Sequence, residues 1–136
     1  MKANSKFDWR FINQDDYENI LKLWWKNWGF PIPPIENLPK TGIMISKDGV
    51  DVYAGFIYYT GTALAWAEYF VSNKTVAVEY KRGALERLVD IMCIISKEKG
   101  VKCLFTSTVL DSFKNSLTKA GFQIGDVGNY QLVKPT

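Results

Sequence analysis

Between Gly42 and Val71 three extended apolar runs follow one another with only three residues between them. Gly42-Ile43-Met44-Ile45-Ser46 enters Lys47-Asp48-Gly49, a hairpin signal, and Val50 to Tyr59 returns. Thr60-Gly61-Thr62 then turns the chain into Ala63 to Val71. Connections this short join antiparallel strands, because a parallel pair needs a crossover of a dozen residues or more. The centre of the chain is therefore an antiparallel meander, and what flanks it decides the fold class.

Upstream, Phe7 to Ile12 alternates enough for a strand, and Asn13 to Asp16 offers helix N-cap chemistry. Tyr17, Ile20, Leu21, Trp24 and Trp28 share one face at a 3.6-residue period, with Leu23 and Trp25 off it, so the spacing predicts a helix packed on that face. It ends near Gly29, since Phe30-Pro31-Ile32-Pro33-Pro34 cannot continue a helix, and Ile35 to Leu38 allows one short turn. Downstream, Val78 to Lys99 reads as one long helix with Gly100 as its C-cap. Val101 to Thr106 reads as a central strand and Leu110 to Ala120 as a helix stopped by Gly121. Phe122 to Ile124 and Asn129 to Val133 read as two short closing strands. The expected architecture is mixed α/β (α+β), a sheet of about six or seven strands flanked by about four helices, in a single domain over 1–136.

Composition bounds the chemistry. The chain has no His, which excludes Ser-His-Asp and Cys-His catalysis, zinc sites with a His ligand and imidazole proton shuttles. No metal is expected. Catalysis has to run through carboxylates, hydroxyls, backbone amides or a bound cofactor. Cys93 and Cys103 lie in apolar stretches and read as buried free thiols. No run approaches ~18 uninterrupted apolar residues, so no membrane span is expected, and the first residues lack the apolar stretch of a leader. A cytoplasmic location is the expectation. The net charge of +3 is local: from Lys74 to Lys102 there are seven Lys and Arg against four Asp and Glu, which accounts for all of it. That segment is either a positive site for an anionic ligand or a solvated helix face.

The element order, with Phe70-Val71-Ser72 leading into Lys81-Arg82-Gly83-Ala84-Leu85, Gly100 before Val101-Lys102-Cys103-Leu104, and Lys119-Ala120-Gly121-Phe122 after the last helix, resembles the GNAT superfamily of acyl-CoA-dependent N-acyltransferases over nearly the whole chain. A helix start is a natural phosphate site, because its first N–H groups are unpaired and carry partial positive charge. Lys81 and Arg82 add cations beside Gly83. The resemblance implies that the amides around Lys81, Arg82, Gly83, Ala84 and Leu85 hold the pyrophosphate of coenzyme A. It also implies that backbone groups of Phe70 and Val71 pair with the pantetheine arm like an added strand, where the fourth and fifth strands splay. The chain departs from the family at Tyr80, where a Gln or Arg is usual, and at Leu85, where a small residue is. Leu110 and Leu117 occupy the places of a common Asn and of the Tyr general acid.

N-acyl transfer needs a neutral amine, and often a base. Glu68 interrupts the apolar run Ala-Trp-Ala-Glu-Tyr-Phe-Val and is the base candidate; otherwise it is a solvent-facing or ion-paired strand residue. Tyr69 should point to the opposite face of that strand. Ser107, Thr108 and Ser112 are candidates for protonating the leaving thiolate, with Tyr58 and Tyr59 more distant. Asp111 is a candidate for binding the amine, and Asp111 or Thr108 is equally a helix cap. Trp25 and Phe30 are candidates for an acceptor wall, against simple packing of the Pro-rich loop. The leading expectation is an acetyl-CoA-dependent N-acetyltransferase acting on a primary amine by direct attack on the thioester. The alternative is a GNAT-like coenzyme A-binding or nucleic-acid-associated module without efficient turnover, although so small a net charge does not favour nucleic acid. A homodimer is compatible with either.

Overall fold

The computed structural model describes residues 6–136. The expectation that no leader is present falls partly on Met1–Ser5, outside the described residues. Strand β1 spans Asp8–Phe11, β2 Thr41–Lys47, β3 Val50–Tyr59, β4 Leu64–Ser72 and β5 Cys103–Phe105. Helix α1 covers 14–28, α2 Ala84–Glu98 and α3 Asp111–Lys119, with single helical turns at Ile35–Asn37 and Val78–Lys81. The sheet order is β1-β2-β3-β4-β5. The first three pairings are antiparallel, as the short turns require, and β4 pairs with β5 in parallel across the α2 crossover.

Alternation along the strands supplies two buried faces. On one, Ile43, Ile45, Val52, Ile57, Ala65 and Ala67 pack under Leu88 and Met92 of α2 and Leu117 of α3. On the other, Met44, Ala54, Phe56 and Val71 pack against Tyr17, Leu21, Trp24 and Trp25 of α1. The α1 start is tied down electrostatically. Asn13 and Asp16 form a reciprocal capping box, and Asp16 Oδ2 accepts from both the Asn13 N–H (2.9 Å) and Arg10 Nη1 (2.6 Å). Arg10 reaches on to Asp51 at 3.0 Å, joining β1, α1 and β3. Asp16 is buried, so its removal strands a cation as well as a cap. Asp16→Ala is expected to lower unfolding stability by about 2 kcal/mol, read as a fall in the urea midpoint at unchanged slope.

Several expectations are corrected. The sheet has five strands among the described residues, not six or seven. Residues 122–124 and 129–133 are not strands, because Ile124, Tyr130, Leu132 and Val133 stay exposed and no buried face fixes them. β5 is a short edge strand rather than a central one. Three helices and two single turns stand in place of four helices. The long helix is broken at Arg82 (ψ 126°) and Gly83 (φ 89°, ψ −7°), a left-handed backbone that glycine adopts without cost and other residues do not. Cys93, on the outer stripe of α2, and Cys103, on the edge strand, are free and exposed.

The last correction concerns α1. Residues Tyr17–Leu21 form a π turn, with α-helix on either side. The wider turn delays everything after it around the helix axis. Trp25, expected off the core face, is therefore 2% exposed, while Trp28, expected on it, is 37% exposed. Gly29 then ends the helix in a left-handed cap, as the sequence predicts.

Candidate active site

The centre of the site is an irregularity in β4. Ala54 pairs with Val71 and Phe56 with Glu68, so one residue of β3, Gly55, faces two of β4, Tyr69 and Phe70. This is a β-bulge, and Tyr69 at its apex has φ 57°, a conformation that costs a non-glycine residue about 1 kcal/mol. Gly55 makes the crowding possible: a Cβ there would lie 2.8 Å from Met92 Cε and 3.1 Å from Phe70 Cδ1. The bulge breaks the alternation of the strand. Tyr69 was expected on the face opposite Glu68, yet the two line the same cleft, and the Glu68 carboxylate accepts a hydrogen bond from the Tyr69 backbone N–H.

The same region opens the sheet. β4 and β5 pair only from Leu64–Cys103 to Trp66–Phe105, after which β4 has no strand partner on that side. The gap continues as a cleft of about 490 Å³, walled by the bulge, by residues 107–116 around the start of α3, and by Trp28, Phe30 and Pro31. The volume suits a small organic ligand.

Glu68 is half-buried in this cleft. Burial pushes its carboxyl above the ordinary carboxylate range, and hydrogen bonds from Trp66 Nε1 (3.0 Å) and the Tyr69 N–H work against the shift. Trp66 is itself held by stacking on Phe105, with centroids 5.8 Å apart and planes at 9°. Tyr58, beside Tyr69 and Glu68, is pushed up to about 12, first by burial and then by these neighbours, so its phenol stays protonated. Tyr53 lines the cleft and is also pushed up by burial, with the Glu86 carboxylate in the first turn of α2 a lesser cause.

Among the residues singled out in the sequence, Glu68, Phe70, Val71, Ser107 and Phe30 meet in the cleft, together with Ser112 and Thr108. Thr108 Oγ1 accepts from the Leu110 N–H at 3.1 Å, a capping role. Asp111 is not brought in: its carboxylate faces solvent, 3.9 Å from Lys114. Trp25 touches the cleft from beneath but belongs to the α1 core. Trp28 takes the wall position instead. Its Nε1–H donates to the Ser72 carbonyl (2.8 Å), its ring stacks on Phe30, and the ammonium groups of Lys74 and Lys81 lie 4.9 and 5.8 Å from the ring centroid. Tyr69 and Trp66 also went unrecognised in the sequence. An odd residue count between Gly55 and Glu68 partners was the only signal for Tyr69, and it is readable only with the register known.

The phosphate candidates lie beyond the cleft lining. Gly83 caps α2 with no side-chain hydrogen bond to the first turn, leaving its amides open. Ala84 is fully buried and Leu85 is 6% exposed, both in the core, so the bulk of Leu85 points away from those amides. Arg82 is exposed. Lys81 Nζ donates to the Asn73 carbonyl (2.9 Å), and burial lowers its pKa. An uncapped helix start with flanking cations fits a pyrophosphate, and an open β4 edge fits an extended amide-bearing arm. Among the described residues no three His, Cys, Asp or Glu are grouped to hold a metal ion, and no helix is long and apolar enough to cross a membrane.

An antiparallel meander, a parallel fifth strand splayed from a bulged fourth, and a glycine-capped crossover helix define the GNAT fold. Solved structures agree: the chain superposes on an aminoglycoside N-acetyltransferase in complex with coenzyme A (TM-score 0.68, 16% identity, 95% of each chain). It does so equally on an acetyltransferase of Trypanosoma brucei (0.66, 16%, 93% of this chain and 99% of that one) and on a GNAT family acetyltransferase of Staphylococcus aureus (0.62, 15%, 94% and 99%). No family model and no curated protein matches the chain.

Proposed function

We propose that the chain is an acetyl-CoA-dependent N-acetyltransferase that acts on a primary amine. The observation that carries this reading is the bulge at Tyr69 beside the β4–β5 splay, which puts a carboxylate of raised pKa into the cleft that the open β4 edge borders. When bound, acetyl-CoA supplies an acetyl thioester whose C–S bond is exchanged for the N–C bond of an amide. Phe70 and Val71 would hold the pantetheine arm through main-chain groups, and the amides from Gly83 to Leu85, with Lys81 and Arg82, would hold the pyrophosphate. Glu68 takes the proton of the acceptor ammonium, directly or through a water. Its raised pKa keeps it basic enough for that task near neutral pH. Ser107 or Ser112 is placed to give a proton on the leaving-group side, and Asp111 is not needed. The fold relatives in complex with coenzyme A or acting on aminoglycosides support the co-substrate and an amine acceptor at the level of the fold.

Calorimetry with coenzyme A, followed by thiol release from acetyl-CoA across an amine panel, tests the proposal. Micromolar binding with amine-dependent thiol release is expected. Absent binding would overturn it, and binding without release under every amine would leave a coenzyme A-binding module in its place.

A further inference from the structure

We infer that the acceptor is a singly charged amine carried on an aromatic body, such as an arylalkylamine, and not a polycation. The inference rests on the acetyltransferase reading and names the substrate class of that site.

Glu68 is the only carboxylate among the residues lining the cleft, and every other polar side chain there is a hydroxyl. One ammonium group finds a partner in Glu68. A second would be desolvated without one, which strongly disfavours binding. The flank beside Trp28 is positive, because Lys74 and Lys81 both stand near its ring. A cation extending toward that side meets like charge.

The rest of the lining is aromatic. Trp28 and Phe30 stack at 6.2 Å with planes 14° apart, and both remain more than a third exposed. Phe70 and Phe113 lie 5.3 Å apart at the other side, with Tyr69 between the wall and Glu68 in the lining. Trp28 is fixed by its hydrogen bond to Ser72, and Tyr69 by the bulge, so these rings are ordered before any ligand arrives. Preordered rings around one carboxylate recognise a flat apolar group bearing one ammonium.

Tryptamine, phenethylamine, spermidine and sisomicin are titrated by calorimetry into the full chain, with and without saturating coenzyme A, and are compared as acceptors in thiol release. Tryptamine is expected to bind at least tenfold more tightly than spermidine or sisomicin. Phe30→Ala should remove most of that preference while leaving coenzyme A affinity unchanged, since Phe30 is at the cleft wall and not in a core cluster. Equal or tighter binding of a polycation overturns the inference but not the acetyltransferase reading. So does an absence of binding by both aromatic amines when coenzyme A binds. If coenzyme A fails to bind, the acetyltransferase reading falls, and the titrations without it still decide the aromatic preference.

Discussion

Glu68→Gln should lower turnover about a hundredfold while leaving coenzyme A affinity unchanged. The amide keeps the shape and can still accept hydrogen bonds from Trp66 Nε1 and the Tyr69 N–H, so the local packing survives. Only the capacity to take a proton is lost. The wild-type rate should rise with pH across the Glu68 titration, displaced above the ordinary carboxylate range, and E68Q should lack that limb. Trp66→Phe removes a hydrogen bond that favours the ionised form, so it should move the limb to higher pH. Stability runs the other way. Because the folded state raises the Glu68 pKa, the fold binds a proton that the unfolded chain releases first. Wild-type stability is therefore lost as pH rises from the unfolded carboxylate range through the folded pKa. The Tm of E68Q should match wild type in acid and exceed it above that window. A variant with full activity, or with the same acid limb, would remove Glu68 from the mechanism.

Gly83→Glu is expected to weaken coenzyme A binding about a thousandfold. A carboxylate ~4 Å from a phosphate at an effective dielectric of ~20 costs about 4 kcal/mol, close to three decades in Kd. The substitution also forces a side chain onto a backbone with φ 89°, so part of any effect is structural. Gly83→Ala separates the two. It should lose about 1 kcal/mol of stability from the left-handed backbone yet retain binding within a fewfold. Wild-type affinity in the Glu variant, measured by calorimetry on folded protein, would show that the phosphates bind elsewhere.

The meander was legible because its signal is local. Lys47-Asp48-Gly49 and Thr60-Gly61-Thr62 fix antiparallel pairing by length alone, and β3 spans the residues that the pattern marks, Val50–Tyr59. Gly29, Gly100 and Gly121 mark helix ends for the same reason: each has a positive φ where a helix stops. Glu68 stood out as a charge in an apolar run. What stayed hidden depends on register. The bulge at Tyr69 is a relation between β3 and β4, and no property of the four residues Glu68 to Val71 announces it. The break before α2 was hidden by continuing apolar periodicity through a single Gly. Residues 122–133 alternate well enough for strands, but alternation selects a face only where a face is buried. The cysteines were misplaced because apolar sequence neighbours on a helix or strand lie on different sides.

The π turn at Tyr17–Leu21 makes the cleft wall depend on residue number rather than residue type. Tyr17 is held at one end, its hydroxyl donating to the buried Pro33 carbonyl at 2.7 Å, and Trp28 at the other. Between these anchors the helix accommodates one residue more than regular α-geometry would carry. A one-residue deletion there would re-phase the distal half by about 100°. It would interchange the buried and ligand-facing positions of the tryptophans without altering either one. Length variation inside α1, not substitution, is thus the shortest route by which a chain of this kind could gain or lose its aromatic wall.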